Sequence, residues 1–296
     1  MGHRHLEFSP ITLDRQKEYA AALRACPQLV TSDFAFANIW GWAEHYGLQW
    51  AFADDLVWLR QTRPEPICWA PIGPWDRHDW TRCCCMPEAH SFTRVPEYLA
   101  LLWRQALGER VTLTEIRGHW DYVYAVPELI DLAGNRFHKK KNLLNQFLKN
   151  YEFEYRALDA NCVEEVLEMQ ADWFSWYEEQ HPSEALVAEN RAIIRVLTAF
   201  DDIGGLTGAT LRVNGKIMAY TVAEPLGLDA VVIHFEKADT RFKGAYQAIN
   251  QLFLANEARK YTYVNREQDL DDEGLRKAKL SYNPALMLKK FKAHLA

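Results

Sequence analysis

The sequence predicts an α+β protein of two halves built on one plan, each a mixed twisted sheet flanked by helices. Three observations carry this. Residues 206–223 are two alternating apolar runs joined by Asn214-Gly215. That pattern is a hairpin signal, because both central turn positions need positive φ. A third apolar run (Ala230–Phe235), a helix that opens near Gly244 and reaches about Lys260, and a short strand (Tyr261–Asn265) follow it. Finally, the series helix pair, hairpin, strand, helix, strand occurs twice along 296 residues, a length that suits two domains. The repeat is one of pattern, since residue identity between the halves is poor.

In chain order, residues 12–26 read as a helix. Ser32-Asp33 reads as the cap of a second helix, Phe34 to about Tyr46, with Phe36, Ile39, Trp40 and Ala43 on its apolar face. Strands are expected at 48–53 and 56–61 around a tight Asp54-Asp55 turn, and again at Ile67–Ile72. A helix over Val95–Leu107 and a strand over Val111–Ile116 complete this half. Val126–Asn150 reads as a helical connection broken at Gly134-Asn135. The second half opens with a strand at Glu152–Arg156 and helices at 161–180 and 184–200, ahead of the hairpin. The domains are therefore set at 1–150, with 126–150 as the connecting segment, and 151–296.

A net charge of −6 and a pI near 6.0 argue against a protein coated for nucleic acid, while leaving room for a local basic groove. The 11 Trp read as large aromatic cores. The six cysteines, Cys26, Cys68, Cys83, Cys84, Cys85 and Cys162, show no CxxC spacing and read as reduced thiols without a metal. His3 and His5 read as part of a loose start rather than ligands. The N-terminus has no apolar signal core and no run of about 18 apolar residues occurs, so a cytoplasmic protein without a transmembrane segment is expected. The oligomeric state stays open, a monomer being slightly favoured over pairing through edge strands.

Hairpin, third strand, glycine-bearing helix start and strand resemble, in their order, one half of the GNAT (N-acetyltransferase-like) fold. Four stretches go further: Ser32-Asp33-Phe34-Ala35-Phe36-Ala37-Asn38-Ile39-Trp40, Asp121-Tyr122-Val123-Tyr124, the run from Phe137 to Phe147, and Tyr263-Val264-Asn265-Arg266-Glu267-Gln268-Asp269-Leu270 with Gly274 to Tyr282. Together they resemble the phosphatidylglycerol lysyltransferase C-terminal domain family. The resemblance implies two GNAT-like domains, kinship with the Fem peptidyltransferases, and transfer of an amino acid from aminoacyl-tRNA. Membrane-bound members use a lipid headgroup as acceptor. This chain shows no counterpart of their transmembrane module, so a free-standing form with an acceptor of unknown class is expected.

The candidate site gathers around the last stretch. Arg266, Glu267 and Asp269 follow a strand where such a sheet opens to a cleft. A carboxylate there would bind or deprotonate an amine, and Arg266 would pair with phosphate or carboxylate. The alternative is an internal salt-bridge network. His234 and Glu236, two apart on a strand, share a face. Glu236 joins Glu267 and Asp269 as a candidate base, and His234, Tyr122 and Tyr282 are placed in the substrate cleft. Arg276, Lys277 and Lys279 form a local positive field suited to donor phosphates, whereas Lys289, Lys290 and Lys292 read as a solvated tail. The helix carrying Arg136, His138, Lys139, Lys140 and Lys141 has a basic side, which is read either as a phosphate contact through His138 and Lys139 or as a plain amphipathic surface.

Arg241-Phe242-Lys243-Gly244-Ala245-Tyr246 only partly matches the pyrophosphate loop of acetyltransferases. Tyr246 stands where a small residue is wanted, though Lys243 remains a candidate phosphate contact. Three functions stay open: an aminoacyltransferase with an aminoacyl-tRNA donor, an N-acetyltransferase using acetyl-CoA, and a non-catalytic ligand-binding module.

Overall fold

The structure is a computed structural model that describes residues 6–27, 31–82 and 90–296. His3, His5 and the Cys83-Cys84-Cys85 run lie outside the described residues. The chain forms two compact units. One holds residues up to Asp121 with 268–273 and 287–296, and the other holds 122–267 with 274–286. The first unit ends at Asp121, before the connecting segment 126–150, and takes back 268–273 and 287–296 from the end of the chain.

The first unit contains strands β1 (Ser9–Pro10), β2 (Gln49–Ala53), β3 (Leu56–Gln61), β4 (Ile67–Ile72), β5 (Ser91–Pro96), β6 (Val111–Glu115) and β14 (Lys290–Leu295). Helices α1 (Gln16–Ala25), α2 (Phe36–Gly41), α3 (Ala43–Tyr46) and α4 (Glu97–Leu107) accompany them. The sheet order is β1-β2-β3-β4-β5-β14-β6. Asp54 and Asp55 both have positive φ, 54° and 61°, which short polar side chains tolerate, and this closes the β2–β3 turn. The helix expected from Val95 starts later, at Glu97, because the chain is still extended through Pro96. The chain end expected as a solvated tail is instead β14, inserted antiparallel between β5 and β6. Trp50, Trp58, Trp75 and Trp103 are all below 2% exposed, the aromatic core that the tryptophan count implied.

The second unit contains β7 (Asp121–Ala125), β8 (Phe153–Ala157), β9 (Thr207–Val213), β10 (Lys216–Pro225), β11 (Ala230–Ala238), β12 (Tyr263–Asn265) and β13 (Leu286–Leu288), in the order β13-β7-β12-β11-β10-β9-β8. Its helices are α5 (Val126–Asp131), α6 (His138–Asn150), α7 (Val163–Glu178), α8 (Glu184–Thr198), α9 (Ala245–Asn256) and α10 (Glu273–Leu280). Asn214 (φ 53°) and Gly215 (φ 79°) make the hairpin turn, as their chemistry demands.

Both sheets share a plan: four antiparallel strands, one parallel step, then an antiparallel step. The parallel steps are β4–β5 and β11–β12. In each sheet the strand after the parallel step, β14 or β7, comes from elsewhere in the chain. In the second unit β11 and β12 pair only from Ala230↔Tyr263 to Val232↔Asn265. β12 then stops while β11 runs on, so the far half of β11 keeps an open edge.

Candidate functional site

That open edge is where the polar side chains of the second unit converge. On β11 the register slips: Val222 opposes Phe235 while Ala223 opposes Ile233, so His234 is the extra residue of a β-bulge. The bulge aims His234 between two carboxylates. Its Nε2 lies 3.0 Å from Glu224 Oε1 on β10, and its Nδ1 lies 3.0 Å from Glu267 Oε1. The imidazole is fully buried, Glu224 is 7% exposed and Glu267 is 20% exposed, so the row ends at solvent through Glu267. Burial alone would discharge the ring, but the two flanking carboxylates outweigh it and raise the His234 pKa to about 9. His234 is therefore an imidazolium at neutral pH, with one N–H donated to each Glu.

Glu267 has φ 58°, a left-handed conformation uncommon for Glu. An Asx turn stabilises it, with the Glu267 N–H donated to Asn265 Oδ1 at 2.8 Å. Tyr122 N–H donates to the Glu267 carbonyl and Arg266 N–H donates to the Tyr122 carbonyl, so β7 continues to hold the segment after β12 ends.

Glu236 does share the cleft side with His234, since both reach the Arg266–Glu267 segment. Its oxygens are committed: Oε1 accepts from Arg266 Nη2 at 2.9 Å and Oε2 accepts from Asn250 Nδ2 at 2.8 Å. Burial disfavours the Arg266 charge, but Glu236 outweighs burial and raises the guanidinium pKa. The other terminal nitrogen, Nη1, is buried without a well-formed hydrogen bond, beside Tyr282. The guanidinium carbon stands 4.8 Å from the Tyr282 ring centroid, and Lys140 Nζ lies 4.1 Å over the same ring. Lys279 Nζ donates to the Arg266 carbonyl at 2.5 Å, and Tyr124 donates its hydroxyl proton to the Lys279 carbonyl at 2.8 Å.

The basic residues split by exposure. His138 and Lys139 on α6 and Lys277 on α10 are exposed, and Arg276 is half-buried. The segment just after α10 reaches the start of α6: Lys140 covers the Tyr282 ring and Asn283 Nδ2 donates to the Arg136 carbonyl at 3.5 Å. Lys140 and Arg266, 126 positions apart, thus meet at one tyrosine ring. Tyr122 is fully buried and acts as a floor, with Lys279 Nζ 5.8 Å from its ring.

Two predicted residues sit elsewhere. Asp269 belongs to the first unit, fully buried, 3.2 Å from Arg117 Nη1 and capping a turn by accepting from the Asp271 N–H. Lys243 lies in the loop before α9, where its N–H donates to the Tyr151 hydroxyl at 3.3 Å. That loop is closed by α6. A Cβ on Gly244 (φ 89°) would come within 2.1 Å of the Leu143 carbonyl oxygen, and Tyr151 packs against Phe242 at 5.2 Å. Arg241 pairs with Asp239, donating from Nε to Oδ1 and from Nη2 to Oδ2.

The first unit carries a second charge cluster. Asp33 pairs with Arg94 and Lys290, and Lys290 Nζ also donates to Asp121 Oδ1 at 2.6 Å. Ser32 donates its N–H and hydroxyl to Asp121 at 2.7 and 2.9 Å. Gln268 donates to Ser32 and Asp33, both at 3.0 Å. Ser32 and Asp33 are therefore not helix caps, and Lys290 is not a solvated side chain but 0% exposed. Glu224 and this cluster were missed from sequence. The available signals were a charged residue closing an apolar strand and the alternation Lys290-Phe291-Lys292-Ala293-His294-Leu295.

Among the described residues, no group of three or more His, Cys, Asp or Glu is arranged to hold a metal ion, and no helix is long and apolar enough to cross a membrane.

Comparison with known proteins places these observations in a family. Residues 26–294 match the family described as phosphatidylglycerol lysyltransferase, C-terminal. A conserved protein of unknown function from Bacteroides thetaiotaomicron is 32% identical, with 99% of this chain and 100% of that one covered and a TM-score of 0.90. L-PGS from Bacillus licheniformis has the same fold at 12% identity, with coverage of 99% and 94% and a TM-score of 0.66. FemX does so at 10% identity, 98% coverage of both chains and a TM-score of 0.61. An uncharacterized protein of Mycoplasmoides gallisepticum is 23% identical over 171 residues, which cover 58% of this chain and about half (54%) of that relative. The fold is thus the tandem GNAT-like α+β arrangement.

Proposed function

Because the chain belongs to the phosphatidylglycerol lysyltransferase C-terminal family, we propose that it is an aminoacyltransferase whose donor is an aminoacyl-tRNA. The observation that carries this reading is the pair of cations, Lys140 of α6 and Arg266, gathered at the Tyr282 ring, with exposed basic residues on α6 and on α10, the helix that ends just before Tyr282. Strand phosphates of a tRNA acceptor end suit Arg276, Lys277, Lys139 and His138. The acceptor nucleophile attacks the ester carbonyl carbon and a new acyl bond forms. The bond to the terminal ribose oxygen breaks, and that oxygen leaves with the nucleophile's proton. Most of the rate comes from holding the two reactants in line. Of the three carboxylates considered, Glu267 is the most exposed, at 20% against 8% for Glu236 and 0% for Asp269, and is our candidate for contact with the acceptor.

Coenzyme A is the weaker donor on this reading. Pyrophosphate binding at a GNAT-type loop needs free backbone N–H groups at a helix start. Here the Lys243 N–H is taken by Tyr151, and Leu143 crowds Gly244.

Binding of total aminoacylated tRNA, titrated at about 50 and 200 mM salt with acetyl-CoA in parallel, tests the proposal. Saturable binding that weakens steeply with salt is expected. The Arg276→Ala, Lys277→Ala double variant should lower the log–log salt slope by about 1.5. Salt-independent binding, or saturation by acetyl-CoA alone, would overturn it.

A further inference from the structure

The second unit holds a buried carboxylate that the proposed reaction leaves unused. Glu224 ends β10 at 5% exposure, and its Oε1 meets His234 Nε2 at 3.0 Å. Nothing in the transfer chemistry needs a carboxylate there. Its burial is unfavourable unless a charge partner offsets desolvation. Its Oε1 meets the imidazole whose opposite nitrogen reaches the cleft carboxylate Glu267.

We propose that Glu224 is a positioning residue of the transfer site, holding the His234 ring in line so that Glu267 is fixed at the open edge of β11. This rests on the transferase reading for what Glu267 then meets, but the device itself is a property of three side chains.

The physical argument has three steps. A neutral imidazole offers one donor and one acceptor. Between two carboxylates it would hold one and repel the other, leaving a Glu oxygen facing a ring lone pair. The imidazolium satisfies both, and the 3.0 Å distances on both sides fit two N–H donations. Second, the charge on His234 is set locally. Glu224 on β10 and Glu267 beyond β12 are the charged groups that bear on it. The neighbouring charges are engaged elsewhere: Glu236 with Arg266, and Lys237 with Glu189 on α8 at 2.9 Å. Helix α9 sends Asn250 to Glu236, and helix α7 sends Gln170 to Tyr220. Third, the bulge at His234 is what brings a ring on β11 into line with both strand ends. Glu267, already turned by its left-handed backbone, has Oε1 held by the imidazole and a side chain that is 20% exposed.

The device has a sign in pH. Below its pKa of about 9, His234 donates an N–H to each flanking Glu. Deprotonation on the alkaline side removes one donor and releases one carboxylate, so positioning fails as pH rises.

Side-chain NMR of the histidines in the full chain is the direct test, with nitrogen shifts of His234 followed from pH 6 to 10. Wild-type His234 is expected to keep both N–H groups through pH 8. In Glu224→Gln its midpoint should fall by about two units, because one of its two ion-pair partners is gone. Aminoacyl transfer should show the same displacement of its alkaline limb, with kcat reduced and KM for tRNA unchanged. Glu224→Asp, which keeps the charge, should restore part of both. A wild-type His234 that titrates near 6.5, or a Glu224→Gln variant with an unmoved midpoint, would overturn the proposal. Because the NMR midpoint needs no transfer assay, failure of the donor assignment and failure of this device are read separately. If Glu224→Gln does not fold, wild-type titration alone still decides the protonation state.

Discussion

The two charge clusters use the same ingredients and differ in where they end. In the first unit Asp33, Asp121, Lys290 and Arg94 close on themselves, with side chains 0–10% exposed and further donors from Ser32 and Gln268. In the second unit the row Glu224–His234–Glu267 climbs from 7% to 20% exposure, and Arg266 beside it is 16% exposed. A closed network of buried charge fixes a strand. An open one presents a charge. The contrast teaches that charge density alone does not mark a site; what counts is whether the last partner in the row is protein or solvent.

Removing Lys290 should give the largest effect and bears on the closed side of the comparison. Lys290→Met leaves Asp33 and Asp121 facing each other in a buried space with Arg94 as the remaining cation. Breaking a buried pair in this way costs about 3–5 kcal/mol. Urea unfolding followed by tryptophan fluorescence is a suitable probe, since Trp173 and Trp176 are the only tryptophans outside the first unit. A loss under about 1 kcal/mol would mean that the network is dispensable and the comparison empty.

The hairpin was legible because its turn chemistry is local: Asn214-Gly215 needs no distant partner. The same holds for the Asp54-Asp55 turn and for β4. Strands β7 and β14 were not legible, because each is completed by residues far away in sequence. β14 does alternate, with Phe291, Ala293 and Leu295 in register, but its lysines read as solvated until Asp33 and Asp121 supply partners for Lys290. His234, Glu236, Arg266 and Glu267 could be named from their strand ends. Their roles could not, since a one-residue bulge decides which carboxylate meets the imidazole. Glu224 escaped notice for the same reason, and Asp269 was misplaced because two residues after Glu267 the chain has passed into the other unit.

The two clusters should also fail at opposite ends of the pH scale. Burial raises the Asp33 pKa, but Lys290 and Arg94 outweigh it and hold it at about 2, below its ordinary 3.8. A depressed carboxylate contributes stability that is present above its ordinary pKa, so that of the first unit is lost as pH falls from about 4 through 2. The His234 pKa is raised from 6.5 to about 9. Its contribution is fully present below 6.5 and is lost as pH rises through 9. Denaturant midpoints of the wild type from pH 2 to 10 should therefore show acid loss in the tryptophan signal. Lys290→Met should weaken that acid loss and Glu224→Gln the alkaline one. An acid limb unchanged in Lys290→Met would detach Asp33 from the network.

The smallest expected change in stability is at Glu267, and it sharpens the comparison most. Glu267→Gln keeps the shape, leaves one acceptor oxygen for His234, and removes a charge that already faces solvent. Stability should fall by about 1–2 kcal/mol, less than in Lys290→Met, because the lost partner is the more exposed of the two on His234. Transfer from aminoacyl-tRNA should nonetheless fall on the order of 10²-fold, with tRNA affinity little changed, because the basic residues of α6 and α10 are untouched. Thermal unfolding and single-turnover transfer on the same preparation separate the two. If Glu267→Gln instead unfolds as readily as Lys290→Met while the residual folded protein transfers normally, the open row of the second unit is a structural network like that of the first, and the cleft carboxylate has to be sought elsewhere.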